Sequence, residues 1–388
     1  MDIFDLIKAI TSKNIDINAC ALSEAACKIF PKDSSSNTVI GFCNILEKSV
    51  SSDPLPVVTK IFLSVAPPKR GDSELKHKRY MAYQGLIYEA NVYKKINNIL
   101  RYTPNLIPYI GYGECEVSKI KDYFRHLQPD AIELFLATQF PETYTKSKDR
   151  KLHILITGRP QKSMSLLNIL NITPHTENIV IDKLKLWFQL IYTLKVLSLF
   201  EVQHNDLHEN NVLVAKYTYD RHKKILYVVN NTEFLIDTAN VVLMFDWDRA
   251  YVPDLGKNKL LEFKQSKKTN VINKIQPKFD LFTITCFQTM DFYNEMGGFI
   301  NEERANELGI YKDLLNPILK GISQKELEDI YTPKTGDLSP LMCRPLVDIN
   351  DRAMDYIDIL NLPVFKRFVY DKDRDGDYDY KYVMPVLA

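Results

Sequence analysis

The stretch HNDLHENN at residues 204–211 restricts the possible folds and chemistries of this chain more than any other part of it. It follows a helical pattern of apolar residues at 182–199 and precedes the short apolar run 212–214, so it predicts a polar turn between a helix and a strand. Within this turn Asp206 offers a carboxylate, Asn211 offers an amide, and His204 and His208 flank the carboxylate. So dense a set of polar groups on one turn indicates a functional site.

The turn also has two other interpretations. A polar turn after an amphipathic helix is common, and an Asp-x4-Asn pattern alone is compatible with a solvated loop. Alternatively, His204 and His208 could ligate a transition metal, as in hydrolases that carry His-x-Asp-x-His loops.

Three further polar residues lie in or beside apolar runs. The apolar run 241–245 ends at Asp246, and a carboxylate at the mouth of a buried strand is costly unless it binds something charged. The β-rich run 57–63 carries Lys60 in its middle, and a buried ammonium requires a partner. The helical pattern at 86–96 supplies Glu89 as that partner, and a phosphate would complete the neutralisation.

The order of these residues along the chain resembles the protein-kinase-like superfamily. It is most similar in character to the divergent serine/threonine kinases of large DNA viruses, and the HNDLH form also resembles haspin and the aminoglycoside and choline kinases. The resemblance covers roughly residues 15–300. It implies that Asp206 is the catalytic base, that Asn211 and Asp246 bind Mg²⁺, and that Lys60, held by Glu89, pairs with the phosphates of ATP.

The resemblance implies an α+β, two-lobed fold with a small β-rich N-lobe and a larger, mainly helical C-lobe. We expect residues 1–157 to form the nucleotide-clamping lobe, residues 158–370 the catalytic lobe, and residues 371–388 an acidic tail. The strand pattern at 151–157 ends in Thr157 and Gly158, which suits a hinge whose backbone pairs with the edge of adenine. The alternating carboxylates of 371–379 with Gly376 also match the opening of a calcium loop, but Tyr382 stands where a bidentate Glu is needed.

Several features depart from the kinase pattern. No glycine-rich loop precedes Lys60, and the best substitute is the stretch 22–29, where Ser23 and Ala25 would let backbone amides approach the phosphates. That stretch could equally be an ordinary strand or helix. Asn205 replaces the arginine that pairs with a phosphorylated activation loop, so switching by that route is not expected. Asp280, at the start of a helical pattern, either bonds to the catalytic-loop backbone or simply caps its helix.

Composition narrows the class of protein further. Fifty Lys and Arg balance 49 Asp and Glu, so no global field indicates nucleic acid or an acidic membrane as a partner. The six cysteines show no C-x-x-C pairing, and we expect reduced, buried thiols. The N-terminus lacks the pattern of a secretory signal, and no apolar run has the ~18 residues of a membrane span. These features predict a cytoplasmic protein, or one carried in a virion if the viral resemblance holds.

The expected function is therefore an ATP- and Mg²⁺-dependent phosphotransferase, with a serine/threonine hydroxyl of a protein as its acceptor. A small-molecule kinase and a non-catalytic kinase-like binding protein are the alternatives, because no Ala-Pro-Glu segment marks a peptide-docking site. The sequence does not indicate an oligomeric state.

Overall fold

The computed structural model describes residues 3–13, 15–21, 25–30, 38–45, 54–116, 151–160, 162–166, 177–216, 222–262, 273–285, 313–315, 317–318 and 354–386. The fold is of the predicted mixed α+β class. The chain divides into two compact units, one made of Met1–Leu100 and Ile107–Gln161 and the other of Arg101–Leu106 and Lys162–Ala388. Among the described residues, no helix combines the length and the apolar character that a membrane span needs.

The first unit is built on a six-stranded sheet with the strand order β1-β5-β6-β4-β3-β2, in which only the β1–β5 pair is parallel. Its strands are rich in β-branched residues, which pack well on a pleated sheet. Most side chains of the central strands are buried. The described part of this unit contains two α-helices and the 3₁₀ turn Ala19–Ala21, and the second helix is capped by Ser73, whose hydroxyl accepts from the backbone of Lys76. The elements are α1 (Ile3–Lys13), β1 (Ile17–Asn18), β2 (Ala25–Phe30), β3 (Thr38–Ile45), β4 (Leu55–Leu63), α2 (Glu74–Ile96), β5 (Tyr109–Glu116) and β6 (Lys151–Gly158).

A disulfide bond in the first unit corrects the expectation that the cysteines are reduced. Cys20 and Cys115 are bonded, with their Cα atoms 5.5 Å apart. The parallel pairing of β1 with β5 brings these two residues together although 95 positions separate them, so no spacing motif could have revealed the pair. Cys43 is disulfide-bonded as well. Disulfides are rare in the cytosol, so the cysteines no longer favour a cytoplasmic location.

The second unit places a long helix against two small sheets. The helix α3 (Glu177–Leu199) is buried nearly all round, as its apolar pattern predicts: Trp187, Phe188 and Ile191 are at most 2% exposed. One sheet has the order β11-β8-β7 and the other β10-β9-β12. The remaining elements are β7 (Ser163–Ser165), β8 (Val212–Lys216), β9 (Lys223–Val229), β10 (Thr232–Thr238), β11 (Asn240–Met244), α4 (Tyr356–Leu360), α5 (Lys372–Asp375), β12 (Tyr380–Val383) and the 3₁₀ turns Glu209–Asn211, Pro253–Leu255, Lys259–Glu262 and Pro363–Phe368.

A fully buried asparagine joins α3 to β11. The Asn105 amide donates to Gln189 Oε1 and to the carbonyl of Val242, both at 2.9 Å. Its Oδ1 accepts from Thr193 Oγ1 at 3.2 Å and from the Tyr227 hydroxyl at 3.1 Å. This network explains why the short segment Arg101–Leu106 belongs to the second unit, and it fixes the strand that leads to Asp246.

Within the expected acidic tail, residues 371–386 are structured. Strand β12 pairs in parallel with β9, and Asp379 accepts from the backbone of Lys224 at 2.8 Å. The carboxylates of this segment serve separate partners: Asp371 caps the short helix α5, and Asp375 bonds the guanidinium of Arg374. In the part of the chain that the structure describes, no group of three His, Cys, Asp or Glu side chains is arranged to hold a metal, so the calcium-loop alternative gains no support.

Candidate active site

In the first unit, Lys60 on β4 and Glu89 on α2 form the ion pair that the sequence predicts. Lys60 Nζ donates to Glu89 Oε2 at 2.7 Å, and the side chains are 15% and 2% exposed. Burying two charges costs several kcal/mol per ion in desolvation, so such a pair is weak evidence for a stabilising role.

In the second unit, the turn between α3 and β8 is shaped by a buried carboxylate from a distant part of the chain. Asp280 accepts the backbone N–H groups of His204 at 2.7 Å and Asn205 at 2.8 Å. Burial raises the pKa of the Asp280 carboxyl to about 6, and the two N–H groups oppose that rise. Of the two interpretations of Asp280, the structure bears out the bond to the backbone of this turn.

Asn205 has a structural role in place of the arginine that it replaces. Its backbone lies in the left-handed region, with φ of 65°, which Asn tolerates better than most residues. Its side-chain amide donates to the carbonyl of Arg249 at 3.1 Å, and its Oδ1 accepts from Gln203 Nε2. Gln203 also pairs with Tyr251 through both backbone groups, so the turn is joined to the segment that follows Asp246.

His204 is committed to holding the backbone. Its Nε2 donates to the carbonyl of Phe245 at 2.8 Å, and its Nδ1 accepts the N–H of Asp206 at 3.4 Å. The imidazole lies 4.5 Å from the ring of Trp247, and burial lowers the pKa of His204 to about 4, so the ring is neutral near pH 7. Because both nitrogens are engaged, the alternative of a metal bound by His204 and His208 does not fit this geometry.

Asp206, the predicted base, lies at the centre of this scaffold. It is 7% exposed, and its Oδ1 accepts from Nη1 of Arg249 at 2.9 Å. Burial is the main cause that raises the pKa of Asp206 to about 7. The guanidinium of Arg249 opposes the rise, and the carboxylates of Asp248 and Asp246 add to it. A carboxylate whose pKa lies near neutrality can accept a proton and release it at physiological pH.

Asn211 and Asp246 place an amide and a carboxylate in the same unit. The Asn211 amide donates its Nδ2 hydrogen to the carbonyl of Asp206 at 2.9 Å, which fixes the amide and leaves Oδ1 as its acceptor atom. Asp246 follows directly after β11 and Phe245 with φ of 66°, a strained backbone of the kind that concentrates at functional sites. One carboxylate and one amide oxygen suit Mg²⁺, which protein usually holds through one or two side chains, with phosphates and water completing the shell.

The predicted nucleotide-binding residues Thr157 and Gly158 lie in β6 and make contacts within the first unit. Gly158 donates its N–H to Pro108 at 2.9 Å and Arg159 donates to Pro56 at 3.1 Å, so both amides are already used inside the unit. A Cβ at Gly158 would lie 2.8 Å from Pro108, so glycine is required there for packing. Thr157 is buried in β6.

The substitute for the glycine-rich loop is only partly visible. Ala25 begins strand β2 and pairs with Ile45, as the ordinary-strand alternative describes. Ser23 lies outside the described residues, as does the connection 31–37 between β2 and β3. The assignment of phosphate contacts to Ser23 and Ala25 stays a prediction.

Sequence reasoning missed two residues of the site, Arg249 and Asn258. The fully buried Asn258 amide donates to the carbonyls of Asp248 at 2.8 Å and Ala250 at 2.9 Å, which fixes the backbone on both sides of Arg249. A cation three residues after Asp246 could have been noticed, but nothing in the sequence identifies Asp206 as its partner.

Of the comparisons with known proteins, the one with solved structures gives matches. No family model matches the chain, and no curated protein matches its sequence. Among solved structures, it is similar to "Crystal structure of Rad53 kinase domain and SCD2", with 11% identity and a TM-score of 0.39, over 91% of this chain and 92% of that one. Because this identity and TM-score are low, the proposal below stands on the side-chain geometry.

Proposed function

We propose that this protein is an ATP- and Mg²⁺-dependent phosphotransferase whose acceptor is a serine or threonine hydroxyl of a protein. The observation that carries the proposal is the placement of Asp206. It is a buried carboxylate with a near-neutral pKa, and its backbone N–H donates to His204 Nδ1. Asp280 holds the two residues before it through their backbone N–H groups, and the Asn211 amide donates to the carbonyl of Asp206. A solvated loop would not require such a scaffold.

Each residue has a chemical task in this proposal. Asp206 accepts the proton of the acceptor hydroxyl and orients its oxygen for attack on the γ-phosphorus. Asp246 and Asn211 would hold Mg²⁺, which neutralises charge on the phosphates when bound. In the first unit, Lys60 would pair with the phosphates while Glu89 keeps its ammonium in position. Catalysis of this class is mostly positioning and electrostatics, so it depends on fixed side chains more than on covalent chemistry.

The test is a phosphoacceptor screen with the purified chain, Mg²⁺ and labelled ATP, run on the wild type, Asp206→Asn and Asp358→Asn. Asp358 is an exposed aspartate of the same unit and serves as the matched control. We expect Asp206→Asn to fold normally and to lose transfer by a factor of about 10² or more, while Asp358→Asn keeps wild-type activity. Full transfer by folded Asp206→Asn would refute the role of the base.

The same screen separates the alternatives. Protein substrates are compared with sugars and amino alcohols, because a small-molecule kinase shares this chemistry but phosphorylates only the second group. A thermal shift with Mg-ATP is measured in parallel. Stabilisation by Mg-ATP without turnover on any acceptor would identify a non-catalytic binding protein.

A further inference from the structure

A basic cavity of about 300 Å³ lies within the second unit and contains none of the proposed catalytic residues. Its walls come from α3, the β9–β10 hairpin and the C-terminal segment. They carry four cations and two carboxylates: Lys185, Lys224, Arg367, Arg374, Asp237 and Asp375.

The two carboxylates of the cavity are already engaged. Asp375 accepts from Nε and Nη2 of Arg374, both at 2.7 Å, and from the backbone of Asp371 at 2.9 Å. Asp237 pairs with Nδ1 of His222 at 3.0 Å. The lining still carries two more cations than carboxylates.

Among the described residues, two cations of the cavity form no direct ion pair, although Lys224 helps Arg374 to hold the pKa of the Asp375 carboxyl below its usual value. Neither Lys224 nor Arg367 forms an ion pair with any residue that the structure describes, whereas Lys185 pairs with Asp182 at 2.9 Å. Lys224 is nevertheless held in place. Its Nζ donates to the backbone carbonyl of Asp375, and its own N–H donates to Asp379. Arg367 lies on the 3₁₀ turn Pro363–Phe368 with its side chain exposed at the cavity.

We propose that this cavity is a binding site for a phosphomonoester dianion. A phosphomonoester carries nearly two negative charges at pH 7, which matches the excess of two positive charges on the cavity lining. The guanidinium fork of Arg367 suits bidentate contact with phosphate oxygens, and Lys224 supplies a compact second charge. Leu235 and Phe368 form an apolar wall for the carbon of the ester. The volume is at the small end of ligand pockets, which suits a phosphorylated side chain or small phosphate ester rather than a nucleotide.

The C-terminal segment builds this site. Arg367, Arg374 and Asp375 all belong to residues 354–386, and the pairing of β12 with β9 fixes that segment next to Lys224. Asp375 therefore orients Arg374, and the carbonyl of Asp375 and the side chain of Asp379 hold Lys224. This proposal does not depend on phosphotransferase activity, because binding requires only the folded second unit within the full chain.

Binding is tested by calorimetric titration of the full chain with inorganic phosphate, O-phosphoserine and a phosphoserine peptide, without nucleotide or Mg²⁺ and at constant ionic strength set with chloride. Arg367→Gln and Lys224→Gln are the test variants. Lys366→Gln is the matched control, because Lys366 is an exposed cation on the same turn that does not line the cavity. We expect each test variant to bind about tenfold more weakly or worse, and the control to stay within about twofold of wild type.

The ligands also distinguish the sources of the phosphate group. If the phosphoserine peptide binds at least about tenfold tighter than free phosphate, the ligand is a phosphorylated protein side chain. If the three probes bind equally, the site takes small phosphate esters. An absence of saturable binding, or binding that is equal in Arg367→Gln and Lys366→Gln, overturns the proposal. Because Arg367 is exposed, its substitution leaves the fold intact, and circular dichroism verifies this.

Discussion

Replacing Arg249 with Gln should move the pH dependence of catalysis rather than simply reduce it. Arg249 contacts Asp206 at 2.9 Å and is among the groups that set its pKa at about 7. An arginine beside an aspartate usually lowers the aspartate pKa by about 1–3 units. The Arg249 side chain is 41% exposed, and solvent screening therefore places the effect near the lower end, about one unit.

The sign of the effect follows from the role of the base. Asp206 can accept a proton only when it is ionised, so activity rises with pH through its pKa. With the pKa moved from about 7 to about 8, the ionised fraction at pH 7 falls from about one half to about one tenth, and turnover at low substrate should fall about fivefold. Above about pH 9 the Asp206 carboxyl is ionised in both the wild type and Arg249→Gln, and their rates should converge within about twofold.

The assay measures kcat/KM for ATP-dependent transfer from pH 6 to 9.5, at one ionic strength and one Mg²⁺ concentration. Arg249→Lys keeps the charge and should leave the acid limb of the profile near its wild-type position. Arg101→Gln, an exposed arginine of the same unit, is the control for general loss of charge. A loss in Arg249→Gln that is equal at pH 7 and pH 9 would refute the reasoning, because it would mean that Arg249 does not act through the ionisation of Asp206.

Three further predictions concern the scaffold and the ion pair. Asp280→Ala leaves two buried N–H groups without an acceptor and should lower the free energy of unfolding by about 2–4 kcal/mol in urea titration, with Asp280→Asn recovering part of the loss. Asn105→Ala empties the centre of a buried polar network and should cost about 3 kcal/mol or more by the same measurement; a loss below about 1 kcal/mol would show that the network contributes little. Glu89→Gln should weaken Mg-ATP binding by releasing Lys60, whereas Glu74→Gln, at an exposed glutamate of the same helix, should not; equal affinities in fluorescence titration would contradict this role.

Local patterns predicted the parts of the site that depend on neighbouring residues. The apolar periodicity before residue 200 identified a helix that is buried nearly all round, and the β-rich run 57–63 placed Lys60 in a strand. The polar segment 204–211 was identified as a turn because a helical apolar pattern precedes it and a short apolar run follows it. The contact of Asp280 with this turn, which spans more than 70 residues, was one of two interpretations, and it rested on the family resemblance.

Contacts between distant segments were decided by the tertiary structure alone. The disulfide between Cys20 and Cys115 depends on which strands lie side by side in the sheet, and the strand β12 that follows the acidic run forms because β9 has an edge for it. Arg249 reaches Asp206 because two buried asparagines fix the backbone around it. The order of residues along the chain determines which chemical groups are present and what local shape carries them. Packing decides which groups come within 3 Å of one another, and these contacts in turn set their charges. The periodicity of the sequence does not contain this information.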